Sequence, residues 1–464
     1  MKKILKYILV SALVAGLWSC SKDDDTTPEP GPVVTTITLG ADGIEFVQAG
    51  GKMEISVISP ERPQVTDMPE WITKAKTGIY NNHACVITLT AELNPAYDPR
   101  EGTVTVASGS LTATFTVTQS GRTRPTPPED TGLTTTLVTE SPTANAQALF
   151  DYMLGIYGQK TLSAVIADVN WNHNQADAIY NNTGKYPAIN CYDFIHILYS
   201  GENWINYSDL TPVTEWADAG GIVSLMWHFN VPVSRNAGND DVTCTASLTE
   251  FSPSNALTSG TWENRWFYAQ MDKVVDVILA LQEKDIAALW RPFHEGAGNA
   301  CAKHGGEVWF WWGKEGPEVY KRLWNTMFEY FAEKGIRNLI WIWTTQNYNG
   351  NSNAYELDLE WYPGDGYVDM VGRDLYGYDA AKTASEYEIA KTWYPTKMIA
   401  LAECGPDGST ACAIPSEAWA AGGKWSYFMP WYGDAAPDFT WWSAAMNSDD
   451  VITREGLPSD LFVY

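Results

Sequence analysis

Positive charge is scarce in this sequence. Thirty Lys and Arg stand against fifty-six Asp and Glu, a formal net charge of -26. Phosphate recognition needs cations that displace counterions, so nucleic acid is excluded as a partner, and anionic polysaccharides and bare anionic membranes are disfavoured with it. Cysteine is nearly as scarce. Beside Cys20 there are six, scattered with no metal-ligand spacing. Histidine also numbers six, and neither His83 nor His304 has a partner at ligand spacing, so no metal or other cofactor is expected. The one long apolar run, near the N-terminus, is too short for a permanent bilayer-spanning helix. Trp, by contrast, is abundant at twenty-two beside twenty-four Tyr. So much flat apolar surface suits the stacking of sugar rings as well as a core.

At 464 residues the chain exceeds one ordinary core, and two domains are expected. Residues 1–20 are a signal: Lys2, Lys3 and Lys6 precede an apolar stretch ending LWSC. This ending resembles a bacterial lipobox, which implies lipidation of Cys20 and an outer-membrane anchor; a plain secretory signal is the alternative. Residues 21–34 form an acidic, Pro-rich tether, and its SKDDDT resembles the tag of lipoproteins displayed on the outer cell face. An exported chain permits disulfides, and Cys404–Cys412 or Cys244–Cys301 are conceivable pairs that sequence leaves open.

Residues 35–121 alternate apolar and polar positions in short runs bounded by Gly, Asn and Pro, the pattern of a small immunoglobulin-like β-sandwich. PEWIT, YDPREGTVTV and TFTVTQSG there resemble the BACON module. That resemblance implies either glycan binding or a spacer; with no aromatic platform beyond Trp71, the spacer is expected. Residues 122–139 read as a Pro- and Thr-rich linker. From 140 to 464, eight continuous apolar runs alternate with helical text. The runs cover 160–167, 186–194, 220–229, 286–295, 338–346, 368–377, 397–405 and 424–433. Strands covered on both faces read this way, and eight of them match an α/β (β/α)8 TIM barrel. A doubly wound open sheet competes, but no Gly-rich phosphate turn follows the first run.

Barrel chemistry resides at the C-terminal ends of strands. There the sequence places His228, His294 and Glu295, Gln346, Asp374 and Tyr376, Glu403, and Trp431 with Tyr432. Two carboxyls, Glu295 on the fourth strand and Glu403 on the seventh, then face each other across a mouth rich in aromatics. Glycosidic bond cleavage needs such a pair. Glu295, beside WFWWG (309–313), suits the acid, because apolar burial and a neighbouring negative charge keep a carboxyl protonated. Glu403 suits the nucleophile if Tyr376 donates to it. A gap of roughly 5 Å would give retention and a wider one inversion.

RPFHE with WFWWG, GRDLYG (372–377) and ALAECG (400–405) resemble glycoside hydrolase family 26 over about residues 140–464. The resemblance implies a retaining barrel enzyme with Glu295 as acid/base and Glu403 as nucleophile. It implies that His294 orients the site, Tyr376 bonds the nucleophile with Asp374 nearby, and His228 touches the sugar beside the cleavage point. Trp309, Trp312 and Trp431 would be the stacking floor. The expected activity is that of a mannan endo-1,4-β-mannosidase acting on mannan, glucomannan or galactomannan as a monomer. A β-glucanase or β-1,3-xylanase on the same fold, or a non-catalytic surface glycan-binding protein, are the alternatives. Two departures stand out: a long insert, GAGNACAKHGGEV (296–308), and Tyr432, where some mannan-cutting members carry a charge.

Overall fold

A computed structural model describes residues 33–94, 96, 98–121, 131–167, 171–199, 205–238, 241–298, 308–346 and 358–462. Cys20, the signal, most of the tether, and Cys301 and His304 of the insert lie outside them. The chain divides into two units, Met1–Arg124 and Pro125–Tyr464.

The alternating text of the first unit becomes two four-stranded sheets. One joins β1 (Thr38–Leu39), β3 (Gly51–Ile58), β6 (Ala84–Ala91) and β5 (Ile72–Thr77). The other joins β2 (Gly43–Phe46), β8 (Leu111–Gln119), β7 (Arg100–Ser108) and β4 (Gln64–Asp67). Period two decides which side chains turn inward: Cys85, Ile87, Leu89 and Ala91 of β6 are buried, and Val104 and Val106 of β7 meet them in one core. Pairing is antiparallel except between β2 and β8. Trp71 belongs to this core, edge-on to Phe46 at 6.1 Å, with the Arg100 guanidinium over its ring.

In the second unit the eight apolar runs are the eight strands of a closed parallel barrel. They are β9 (Thr161–Ile166), β10 (Ile189–Asp193) and β11 (Ile222–Trp227), followed, after a short hairpin of β12 (Val231–Pro232) and β13 (Val242–Thr243), by β14 (Ala288–Pro292). β15 (Leu339–Gln346), β16 (Met370–Tyr376), β17 (Met398–Gly405) and β18 (Tyr427–Pro430) complete the ring, and β18 and β10 both pair with β9. A ninth short strand, β19 (Val451–Ile452), lies outside against β9. Inward residues such as Leu162, Ile189, Met226, Leu289, Ile342 and Met370 fill the barrel, while their neighbours pack under the helices. This two-sided burial is why the runs read as continuous rather than alternating.

The helical text behaves as its punctuation implies. Trp262–Gln282 starts where the Thr261 hydroxyl accepts from the Asn264 amide, and Pro317–Glu333 begins with Pro in its first turn. The linker expectation needs correction at its end. Thr134 donates its amide to Thr396, Val138 donates to Asp369 Oδ1 at 2.7 Å, and Leu133 and Leu137 pack on the barrel core. These apolar residues recover buried area by lying on the barrel, so this stretch is part of the second unit.

Candidate active site

Glu403 sits near the end of β17. Between β16 and β17 the register slips, Arg373 facing Leu401 but Asp374 facing Glu403, so the extra residue Ala402 sets Glu403 beside Asp374. Arg291, fully buried on β14, reaches both. Its Nη2 donates to Asp374 Oδ2 at 2.7 Å and to Glu403 Oε1, and its Nε donates to Thr344. Burial opposes the guanidinium charge, but Asp374 and Glu403 more than offset it and hold Arg291 charged. The other Glu403 oxygen accepts from the Tyr376 hydroxyl at 2.7 Å. Burial, then Glu403 and Asp374, push the Tyr376 phenol well above its ordinary range, so it stays a donor. Both oxygens of Glu403 therefore face donors that stabilise a negative charge.

Glu295 reaches the same place by a strained turn. Phe293 (φ 44°) and Glu295 (φ 51°) are non-glycine residues in the left-handed region, a conformation that persists only where its surroundings over-determine it. They do so here. The Tyr320 hydroxyl donates to the Phe293 carbonyl, the Trp312 indole to the His294 carbonyl at 2.9 Å, and the Glu295 amide to the Thr344 carbonyl. Gly296 is obligatory in this turn, because a Cβ there would lie 2.2 Å from the Tyr320 ring.

Carboxylate oxygens of Glu295, Asp374 and Glu403 lie within 4.8 Å of one another. Burial, then the charges of Asp374 and Glu403, raise the Glu295 carboxyl well above its ordinary range, with Arg291 opposing. Burial raises Asp374 as well, against Arg291. Among the described residues Asp374 Oδ1 is buried with no hydrogen-bond partner, and a proton on Glu295 directed at Asp374 supplies one. This trio is the metal-ligand grouping found among the described residues, but Arg291 already supplies the cation that two of its members face.

The cavity above the carboxyls is walled by His228, His294, Trp309, Phe310, Gln346 and Trp431. His228 and His294 meet edge to face at 4.5 Å. Burial, then Arg291 and His228, lower His294 well below the ordinary histidine range, so this ring is neutral. The sequence-derived floor needs one correction. Trp312 is fully buried and does not line the cavity; Phe310 stacks on it at 4.4 Å and presents its own ring instead. The strained turn explains the exchange, since Trp312 is drawn inward to hold the His294 carbonyl. Trp431, backed by Tyr432 at 4.9 Å, forms the opposite wall. Arg291 and Asp193 (the partner of His228) are not among the residues expected from sequence, and Phe310 is not expected in the floor. Arg291 lies in the RPFHE motif itself, and Asp193 ends an apolar strand run, which is the signal that could have found it. Cys404 and Cys412 are buried free thiols in hydrogen-bond contact rather than a disulfide.

Residues 138–451, most of the chain, match glycosyl hydrolase family 26. The chain belongs to this family. Residues 63–120 match BACON, described as a putative N-terminal binding domain. The family 26 part is similar to the mannan endo-1,4-beta-mannosidase of Thermothelomyces thermophilus, 30% identical over 327 residues, 67% of this chain and 61% of that protein. Mannan endo-1,4-beta-mannosidase A of Piromyces sp is 28% identical over 345 residues, 70% of this chain and 51% of the relative. The chain thus spans between about half and three-fifths of the length of these curated relatives. Among solved structures, the family 26 domain of an endo-beta-mannanase/endo-beta-glucanase from Prevotella bryantii is 57% identical with a TM-score of 0.68. That match covers 70% of this chain and 99% of the other. The beta-mannanase of a symbiotic protist of the termite Reticulitermes speratus, complexed with gluco-manno-oligosaccharide, is 28% identical with a TM-score of 0.59, covering 71% and 99%.

Proposed function

We propose that this family 26 chain is a retaining endo-β-1,4-mannanase that works by double displacement. The observation that carries the reading is the packing of Glu295, Asp374 and Glu403 oxygens within 4.8 Å around Arg291. A retaining pair stands ~5–5.5 Å apart, whereas inversion needs ~6.5–9.5 Å to admit water between the carboxyls. Glu403, held by Arg291 and Tyr376, attacks the anomeric carbon while Glu295 gives its proton to the departing glycosidic oxygen. The acceptor sugar leaves and a glycosyl ester of Glu403 remains. Glu295, now ionised, takes a proton from water; the oxygen attacks the anomeric carbon and frees Glu403. Asp374 accepts a hydrogen bond from Glu295 and, beside Glu403, disfavours ionisation of the acid. Trp309, Phe310 and Trp431 offer faces for the pyranose rings.

Reducing-sugar release from galactomannan, glucomannan, mixed-linked β-glucan and xylan tests the reading. Release from the two mannans alone is expected. Release from mixed-linked β-glucan instead would favour the second reading, a β-glucanase using the same pair, which the likeness to the family 26 domain of the Prevotella bryantii endo-beta-mannanase/endo-beta-glucanase supports. Binding without release from any of them would move the protein to the non-catalytic class.

Most of the tether and Cys20 lie outside the described residues, and anchoring to the outer membrane through a lipid on Cys20 belongs to this proposal on its LWSC sequence alone. Metabolic labelling with a radioactive fatty acid is expected to mark the wild-type chain and not Cys20→Ala; equal labelling of both would overturn it.

A further inference from the structure

His228 directly follows β11, the third barrel strand, and walls the cavity, but its ring is held from behind by a residue of the second strand. Asp193, the last residue of β10 and 1% exposed, uses both oxygens. Oδ2 accepts from the His228 ring at Nδ1, 2.5 Å away. Oδ1 accepts two backbone amides, those of His228 and Ile195, each at 3.0 Å. Among the described residues no other group hydrogen-bonds the His228 ring. Its flanks are the rings of His294, Phe310 and Trp431, at 4.5, 5.9 and 5.8 Å, which fix its plane but offer no competing acceptor at Nδ1.

We propose that Asp193 is a positioning residue that locks His228 as the Nδ1–H tautomer, so that Nε2 meets the substrate as a hydrogen-bond acceptor. Asp193 is an acceptor at both oxygens, because both backbone donors and the ring nitrogen point at it. The proton between Asp193 and the ring therefore resides on Nδ1. In that tautomer the lone pair is on Nε2. On the reading of the site as a retaining glycosidase, an acceptor is the useful polarity there. A sugar hydroxyl that donates its proton gains electron density on oxygen and stabilises positive charge developing at the adjacent anomeric carbon. A donor at the same place would withdraw density and oppose the transition state.

Asp193→Asn distinguishes this role from simple structural support. Asparagine has one oxygen where the site requires two. Keeping both backbone amides satisfied turns the side-chain NH2 toward His228 Nδ1, which must then accept, and the ring proton moves to Nε2. The polarity facing the substrate is inverted while the loop keeps its bonds. With selective ¹⁵N-histidine labelling, the wild-type His228 is expected to show the Nδ1–H tautomer and Asp193→Asn the Nε2–H tautomer. On mannan, kcat/KM is expected to fall by about 10- to 100-fold. In a His228→Ala background the same substitution should cost little more. A wild-type ring found as the Nε2–H tautomer would overturn the proposal even if the Asn variant failed to fold. So would an equal loss from Asp193→Asn with and without His228, which would mark Asp193 as structural only. The tautomer measurement needs no substrate, so its failure is separate from failure of the mannanase reading.

Discussion

Glu403→Ala is expected to abolish mannan hydrolysis, lowering kcat/KM by at least ~10⁴-fold, or about 5 kcal/mol of transition-state stabilisation. The size follows from what Glu403 does alone. Among the described residues no other carboxyl faces both the Tyr376 hydroxyl and Arg291, so none of them can form the glycosyl ester in its place. The fold should survive, because Asp374 still pairs Arg291 and the removed side chain borders a cavity. Binding of mannooligosaccharide, read by Trp fluorescence or calorimetry, should persist and separates lost chemistry from lost structure. Azide supplies a second check. With β-mannosyl fluoride, azide entering the space left by Glu403 attacks the anomeric carbon from the face opposite fluoride, which departs with its electron pair. The product is α-mannosyl azide. Residual turnover of polysaccharide near the wild-type rate would reject Glu403 as nucleophile, and β-azide would place the nucleophile on the other face.

Strand text of the second unit carried the fold, because barrel strands are buried on both sides and each appears as an uninterrupted apolar run. It also carried the catalytic pair, since strand ends are where polar residues interrupt those runs. What it could not carry is orientation. WFWWG puts four rings next to Glu295, and nothing in the order of letters tells which of them face sugar. That depends on the left-handed turn at Phe293 and Glu295, where the Phe293 and His294 carbonyls recruit Tyr320 and Trp312 from outside. The sequence reading therefore puts Trp312 in the floor when it is a brace, and keeps Phe310 out of a floor that it forms. Arg291 escaped for another reason. An arginine within an apolar strand has no periodic signature of its own, and only closure of the barrel shows that β14 aims it at residues of β16 and β17. Asp193 is similar, as its partner His228 lies thirty-five residues away, just past the end of the next strand.

Glu295→Ala should separate the two steps of the reaction, because the same carboxyl is acid in one and base in the other. Mannan has a poor leaving group, so loss of the proton donor should reduce kcat/KM by ~10²–10⁴-fold. A dinitrophenyl β-mannoside needs no protonation of its leaving oxygen. Glu403 should still attack it, giving a burst of dinitrophenolate, after which the glycosyl ester lingers for want of a base to activate water. Azide needs no base. It should attack the ester from the β face, expel the Glu403 carboxylate, restore turnover and yield β-mannosyl azide. The pH dependence gives the sign of the same argument. Burial, then Asp374 and Glu403, raise the Glu295 carboxyl, so its protonated, working form is present at low pH and is lost as pH rises through that elevated value. Wild-type kcat/KM on mannan should therefore fall on the alkaline side, at a pH well above the ordinary carboxylate range. In Glu295→Ala, the first step with the dinitrophenyl substrate should lose that limb. If the limb persists unchanged there, another group supplies the proton. Asp374, whose carboxyl is also raised by burial, is then the first candidate.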